Sequence, residues 1–191
     1  MSIVDRITPS ISQDRSYRPR TGFKKHAAVL IGIIPTPTGE HVIFSRRASS
    51  MNKHASEICL PGGMLERVDE ESPVNAALRE AEEEIGLPHA NVRVIGLLES
   101  CITSQQLEVA PVVAEIKRPT KWLLQPHEVQ EIIELPLDIF LDARNYKTIT
   151  RRYRGENISS ISISYKHYEI WGLTAKIMMR LQKTICQPSK Y

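Results

Sequence analysis

Apolar and polar positions alternate along this chain in a way that predicts mostly strands, with two well-marked helices. From His26 the run HAAVLIGII is almost unbroken and predicts a buried strand. PTPTGE follows as a turn, and HVIFSRR predicts a second strand, so the two form a hairpin. Residues 48–60 keep neither period and read as irregular. NVRVIGLLES alternates and predicts a strand. LEVAPVVAEI predicts another, where Pro111 implies an edge position or a bulge because proline brings no N–H to a ladder. EVQEIIELPLDIFLD predicts a strand at about 129–135 and a short helix after Pro136. The run from Ile158 to Gly172 holds at least one strand, bent near Lys166. GLTAKIMMRLQKTI then predicts a basic amphipathic helix from 172 to about 185.

The other helix lies in PGGMLERVDEESPVNAALREAEEEIGL, Pro61 to Leu87. Ser72 is the expected N-cap, and Pro73 suits the first turn, where its missing N–H has no helical partner to lose. Gly86 stands where a left-handed C-cap belongs, with Pro88 beyond it. Val74, Ala77, Leu78, Ala81 and Ile85 recur at helical spacing as a buried stripe. Glu80, Glu83 and Glu84 fall on a neighbouring face, while Glu82 points to water. Each like-charge pair at this spacing disfavours the helix by roughly 0.2–0.5 kcal/mol. No Lys or Arg lies between residues 80 and 86, and only Arg79 is adjacent. A hard divalent cation held by oxygen ligands relieves such repulsion, and Mg²⁺ is the default where phosphate is handled. The alternative is a solvated acidic face; the Gly62-Gly63 turn, whose backbone can approach a ligand closely, favours the metal. Arg79 is placed to orient a carboxylate by a charge-assisted bond.

Composition narrows the setting. At 191 residues, 41% hydrophobic and 25% charged, the chain fits a globular protein with a full core. An irregular arm over 1–24, packed on the domain or used in self-association, and one domain over 25–187 are expected. A net charge of +3 is too small to imply a nucleic-acid partner but permits a local basic pocket for an anion. Arg46, Arg47, Lys53 and His54 are candidates to meet phosphates, singly ordinary surface residues, together a plausible cluster. Cys59, Cys101 and Cys186 form no CxxC, so neither zinc nor a disulfide framework is indicated. MSIVDRITPS has no apolar leader, and no apolar run nears the ~20 residues that span a bilayer, so a cytoplasmic protein without a membrane partner is the default. Strands on both sides of one helix, with another helix at the end, predict an α/β (α+β) fold with a mixed sheet between helical layers.

The constellation resembles the Nudix hydrolase family, whose box runs G-x5-E-x7-R-E-U-x-E-E-x-G-U, with U a bulky aliphatic residue. Glu71, seven residues, then Arg79 through Leu87 match its second half, with Ala81 small for U. Seven residues rather than five separate Gly63 from Glu71, and counting five lands on Asp69 instead. The acidic residue of the loop is therefore either of these two. A finer resemblance is to the coenzyme A diphosphatase branch, with a segment L-L-T-x-R-S-x3-R-x3-G-x3-F-P-G-G before the box. Ile43 to Ala48 and Leu60 to Gly63 follow its two ends. Asn52, Ser56 and Leu60 stand where the branch has Arg, Gly and Phe. VAPVV, HEVQEIIELPL and YEIWGLTAKI also look like this branch.

The resemblance implies a Nudix-type α/β/α sandwich. It implies Mg²⁺ or Mn²⁺ held by Glu80, Glu83 and Glu84, with the Gly62 carbonyl completing the coordination. Arg79 orients, and Glu83 or Glu128 takes the proton from water. Arg46, Arg47, Lys53 and Gly63 form the expected substrate contacts. The implied substrate is a small nucleoside diphosphate derivative: coenzyme A or its thioesters, giving 3′,5′-ADP and (acyl-)4′-phosphopantetheine. ADP-ribose or NADH is the alternative within the family, and a catalytically silent nucleotide-binding module the alternative outside it. Family habit allows a homodimer.

Overall fold

The computed structural model describes Ile7, Ile11 and residues 25–50, 55–69, 72–153 and 155–186. The hairpin is strands β1 (Lys25–Thr36) and β2 (Gly39–Arg47), paired antiparallel from Ile33↔Val42 to Thr36↔Gly39. Two short strands follow in the stretch expected to be irregular or turn: β3 (Ile58–Cys59) on β2, and β4 (Gly62–Met64) on β1. Helix α1 (Pro73–Ile85) comes next, then β5 (Val92–Leu97), β6 (Cys101–Ile102) and β7 (Leu107–Ile116). β8 (Val129–Pro136) pairs with β2 and leads into the short α2 (Leu137–Leu141). A separate antiparallel sheet holds β9 (Tyr146–Tyr153), β10 (Glu156–Tyr165) and β11 (Tyr168–Trp171), and α3 (Gly172–Cys186) ends the described chain.

The eight-stranded sheet is mixed, because β1 and β7 run parallel while their other pairings are antiparallel. Alternation along β1 divides the core. Leu30 and Ile34 pack with Ala77, Ala81 and Ile85 of α1, whereas Ile31 and Ile33 face the layer of Phe140, Ile163, Met178 and Leu181. These are the two helical layers of an α/β/α sandwich. The alanines of α1 are fully buried, so the helix lies close against the sheet. From the N-terminal arm, Ile7 and Ile11 are buried in the α3-side core.

Pro111 departs from expectation. β7 is a central strand between β1 and β5, not an edge, and its bulge lies in the partner β5 between Val94 and Gly96. The Pro111 carbonyl accepts from Leu98 N–H at 3.0 Å, where β5 has ended and β6 has not begun. The missing N–H therefore faces a break in the neighbouring strand and costs no ladder bond.

Candidate active site

One edge of β1 is shared. Ala27–Val29 pair with β4, Ile33–Thr36 pair with β2, and Leu30 N–H donates to Pro61 O at 2.8 Å between them. The Pro-Gly-Gly turn at this fork faces α1, whose ends are set by local chemistry. Ser72 Oγ accepts from Asn75 N–H at 3.3 Å, and Gly86 closes the helix at φ 66°.

Glu84 is 3% exposed and accepts the Gly62 N–H at 3.1 Å. Burial pushes its pKa up to about 7; the Gly62 bond and the Arg47 charge oppose this, and the charges of Glu80 and Glu128 add to it. Glu80 is also raised, first by burial, against the pull of Arg79. Its carboxylate lies beside Gly63, where a Cβ would stand 2.3 Å from the Glu80 carboxyl carbon. Glu83 is exposed, and Glu82 points outward to His89 as the helical spacing requires.

Arg79 organises this group. Its Nε and Nη2 donate to the two oxygens of buried Asp69 at 3.0 and 3.1 Å, and Nη2 also reaches Met64 O at 3.1 Å. Its Nη1 lies 3.0 Å from Glu80 Oε1 and 3.1 Å from Glu83 Oε2. Burial pushes the Asp69 pKa up, but the bonds from Arg79 and Glu66 N–H outweigh it and hold the carboxyl below its ordinary value. The loop acid that grips Arg79 is thus Asp69, separated from Gly63 by five residues. The two extra residues of the loop fall after it. Glu71, Asn52, Lys53 and His54 lie outside the described residues.

The segment 122–128 docks on the C-terminal end of α1. Leu123 N–H donates to Ile85 O at 3.2 Å and Gln125 N–H to Glu84 O at 2.9 Å, satisfying helix carbonyls that have no partner within the helix. Glu128 follows, anchored by its N–H to Gln125 O and by its carbonyl to Ala48 N–H. Among the described residues no ion pair engages its carboxylate. Sequence reasoning named Glu128 but not this docking, whose only local signal is the unsatisfied helix end at Gly86.

The expected substrate contacts separate. Arg46 is committed to Glu131 at 2.5 Å and to Ser56 O, with its guanidinium 5.9 Å from the Tyr168 ring centre. Arg47 lies near Glu84, and its Nε is buried with no hydrogen-bond partner among the described residues.

The donor set suits a hard cation: the carboxylates are oxygen ligands whose mutual repulsion and burial raise two of their pKa values. Among the described residues no three acidic, His or Cys side chains already close on one point. Arg79 Nη1 stands between Glu80 and Glu83 and takes an oxygen from each.

Residues 24–153 match the model of the NUDIX domain family. The chain belongs to that family. It is similar to Nudix hydrolase 15, mitochondrial, of Arabidopsis thaliana, 37% identical over 82% of this chain and 57% of that protein. The match thus spans little more than half of the plant protein. It is also similar to a Nudix hydrolase named NudL in Pectobacterium atrosepticum, 37% identical over 83% of this chain and 81% of that one. Among solved structures, the Nudix hydrolase RenU of M. smegmatis shares the fold at TM-score 0.51, with 23% identity over 67% of this chain and 78% of that one. The protein is accordingly a Nudix hydrolase, an enzyme that hydrolyses a nucleoside diphosphate derivative, and Nudix hydrolases generally use divalent metal ions. No described helix is long and apolar enough to cross a membrane.

Proposed function

We propose that the substrate is coenzyme A or its thioesters, cleaved at the diphosphate linkage to 3′,5′-ADP and (acyl-)4′-phosphopantetheine with Mg²⁺ or Mn²⁺. The observation that carries this reading is Ser56. It stands where the coenzyme A branch has glycine, and it adopts φ 60°, the left-handed conformation that favours glycine. Ser56 thus holds a backbone conformation that glycine would take readily, and its N–H donates to Arg47 O at 3.1 Å. Leu60, in place of the branch's Phe, is 3% exposed and faces the core rather than a ligand. Two of the three departures from the branch, Ser56 and Leu60, are thus accommodated by backbone conformation and by burial.

Glu80, Glu83 and Glu84 would hold the cation, with the Gly62 backbone beside them. Bound there, it neutralises diphosphate charge and acidifies a water. Arg79 fixes Glu80 and Glu83, and Asp69 fixes Arg79. Glu128 is the favoured base over Glu83, since Glu83 is already tied to Arg79. The water oxygen bonds to one phosphorus, the bond from that phosphorus to the bridging oxygen breaks, and the water's proton passes to the base. The bridging oxygen leaves with the other phosphate. Arg47, with its orphan donor, is the remaining described basic contact for a phosphate.

One panel tests the reading: coenzyme A, acyl-coenzyme A, ADP-ribose and NADH with Mg²⁺ and with Mn²⁺, alongside Glu83→Gln. Metal-dependent cleavage of the coenzyme A compounds, abolished in the variant, is expected. Turnover of ADP-ribose or NADH with none of coenzyme A overturns the substrate. Tight binding without any turnover identifies a silent module.

A further inference from the structure

An open cleft of about 460 Å³ runs between the C-terminal end of α1 and the docked segment. That volume is in the range of small-molecule sites, roughly 300–1,000 Å³. Pro88, Leu123, Leu124 and Pro126 give it apolar walls, and Glu82 and Glu83 line its helix side. Glu83 therefore belongs both to this cleft and to the carboxylate centre, so a ligand in the cleft borders that centre.

Charge decides which part of a substrate fits. Among the described residues the cleft is lined by two carboxylates and by no Lys, Arg or His. A nucleotide half bearing additional phosphate is repelled there, whereas an uncharged chain meets apolar walls and desolvates no charge of its own. Leu123 fits that use. It is 62% exposed, one of three exposed large hydrophobic side chains among the described residues. It is not loose, because its backbone is bonded to Ile85 O and its Cβ abuts Gly86. A leucine held rigidly at the surface beside a reaction centre has the character of a ligand contact.

We propose that this cleft takes the uncharged arm of the substrate, the pantetheine chain with its acyl group, and leaves the phosphate-bearing nucleotide half to the Arg47 side. This rests on the coenzyme A reading and adds which half of the molecule lies where. Glu83 on the helix side and the apolar loop on the other then set the enzyme's response to acyl chain length.

Leu123→Ser and Leu123→Glu, at an exposed position, test it by steady-state kinetics on free and octanoyl-coenzyme A and by product inhibition. KM for octanoyl-coenzyme A and the inhibition constant of 4′-phosphopantetheine should rise about tenfold in Leu123→Glu, the scale of one lost apolar contact, and less in Leu123→Ser. The inhibition constant of 3′,5′-ADP should move less than about twofold, since that half lies elsewhere. If only 3′,5′-ADP weakens, or if no constant moves in either variant, the assignment is overturned while wild-type turnover keeps the substrate reading. If the wild type cleaves no coenzyme A compound, both fall, and wild-type activity alone reveals it.

Discussion

The backbone N–H of Gln125 donates to the carbonyl of Glu84 at 2.9 Å, so the residue carrying a buried site carboxylate also anchors the segment that presents Glu128. Gly86 makes this approach possible. A Cβ there would lie 2.6 Å from Leu123 Cβ and 3.0 Å from its backbone N and O. Gly86→Ala should therefore cost about 1–3 kcal/mol, from the left-handed backbone and from displacement of the segment. Gly86→Asn, which tolerates the backbone better, should recover part of the stability without recovering kcat. Thermal unfolding and kcat measured on both variants check this; wild-type kcat in either would refute the positioning role.

Glu84 gives the metal-free protein a characteristic pH response. Its folded pKa, about 7, lies above the ordinary carboxylate value, so the folded state holds the proton more tightly than the unfolded state. Its penalty is absent below the unfolded pKa, grows as pH rises, and is complete above 7. Glu84→Gln keeps an acceptor for Gly62 N–H and removes the charge. At pH 8 without metal the variant should be more stable by about 1–3 kcal/mol, and the gap should close near about pH 4. Mg²⁺ should raise the Tm of the wild type more than that of the variant. Melting curves from pH 4 to 8, with and without Mg²⁺, decide it, and a variant less stable at pH 8 without metal would contradict the account.

Arg79 has five N–H groups; four donate to Asp69, Met64 O and Glu83, and its Nη1 also pairs with Glu80 at 3.0 Å. Asp69→Asn should lower stability by about 1–3 kcal/mol and release Arg79, with a fall in kcat. Glu71→Gln should leave the Arg79 bonds intact. Because the Asp69 pKa is depressed on folding, its contribution is present above the unfolded value and is lost as pH falls through the folded one. The stability difference between wild type and Asp69→Asn should accordingly shrink below about pH 4. Comparison of the two variants by urea unfolding tests the assignment; equal losses would return the loop acid to question.

What was legible in the chain was what local chemistry dictates. The limits of α1 follow from Ser72, Pro73 and Gly86, and the long strands from apolar runs. β3, β4 and β6 are two or three residues long and are defined by their pairing partners alone, so no period reveals them. β9, YKTITRRY, has Ile149 as its lone aliphatic residue and is defined by its register on β10. That Glu80, Glu83 and Glu84 fall on neighbouring positions of one helix face was readable from their spacing. That Glu84 is the most buried of Glu80, Glu83 and Glu84, that Asp69 takes Arg79, and that Arg46 turns to Glu131 were not, because each depends on contacts between different elements rather than on local spacing.

Gly63 offers the most local test of the carboxylate centre. Alanine at this position needs no unusual backbone, since the obstacle is contact alone: the added Cβ meets the Glu80 carboxyl carbon and both its oxygens within 2.6 Å. Glu80 is the far end of a flexible side chain, so it can swing away at modest cost to the fold, about 1 kcal/mol or less. Swinging breaks its 3.0 Å pairing with Arg79 and removes it from the group it forms with Glu84. Gly63→Ala should thus keep a near-normal Tm while the metal concentration needed for half-maximal activity rises and kcat falls by about tenfold or more. Metal titration of activity beside a melting curve separates the two effects. A variant that unfolds early, or one with unchanged metal dependence, would show that Gly63 serves the turn rather than the placement of Glu80.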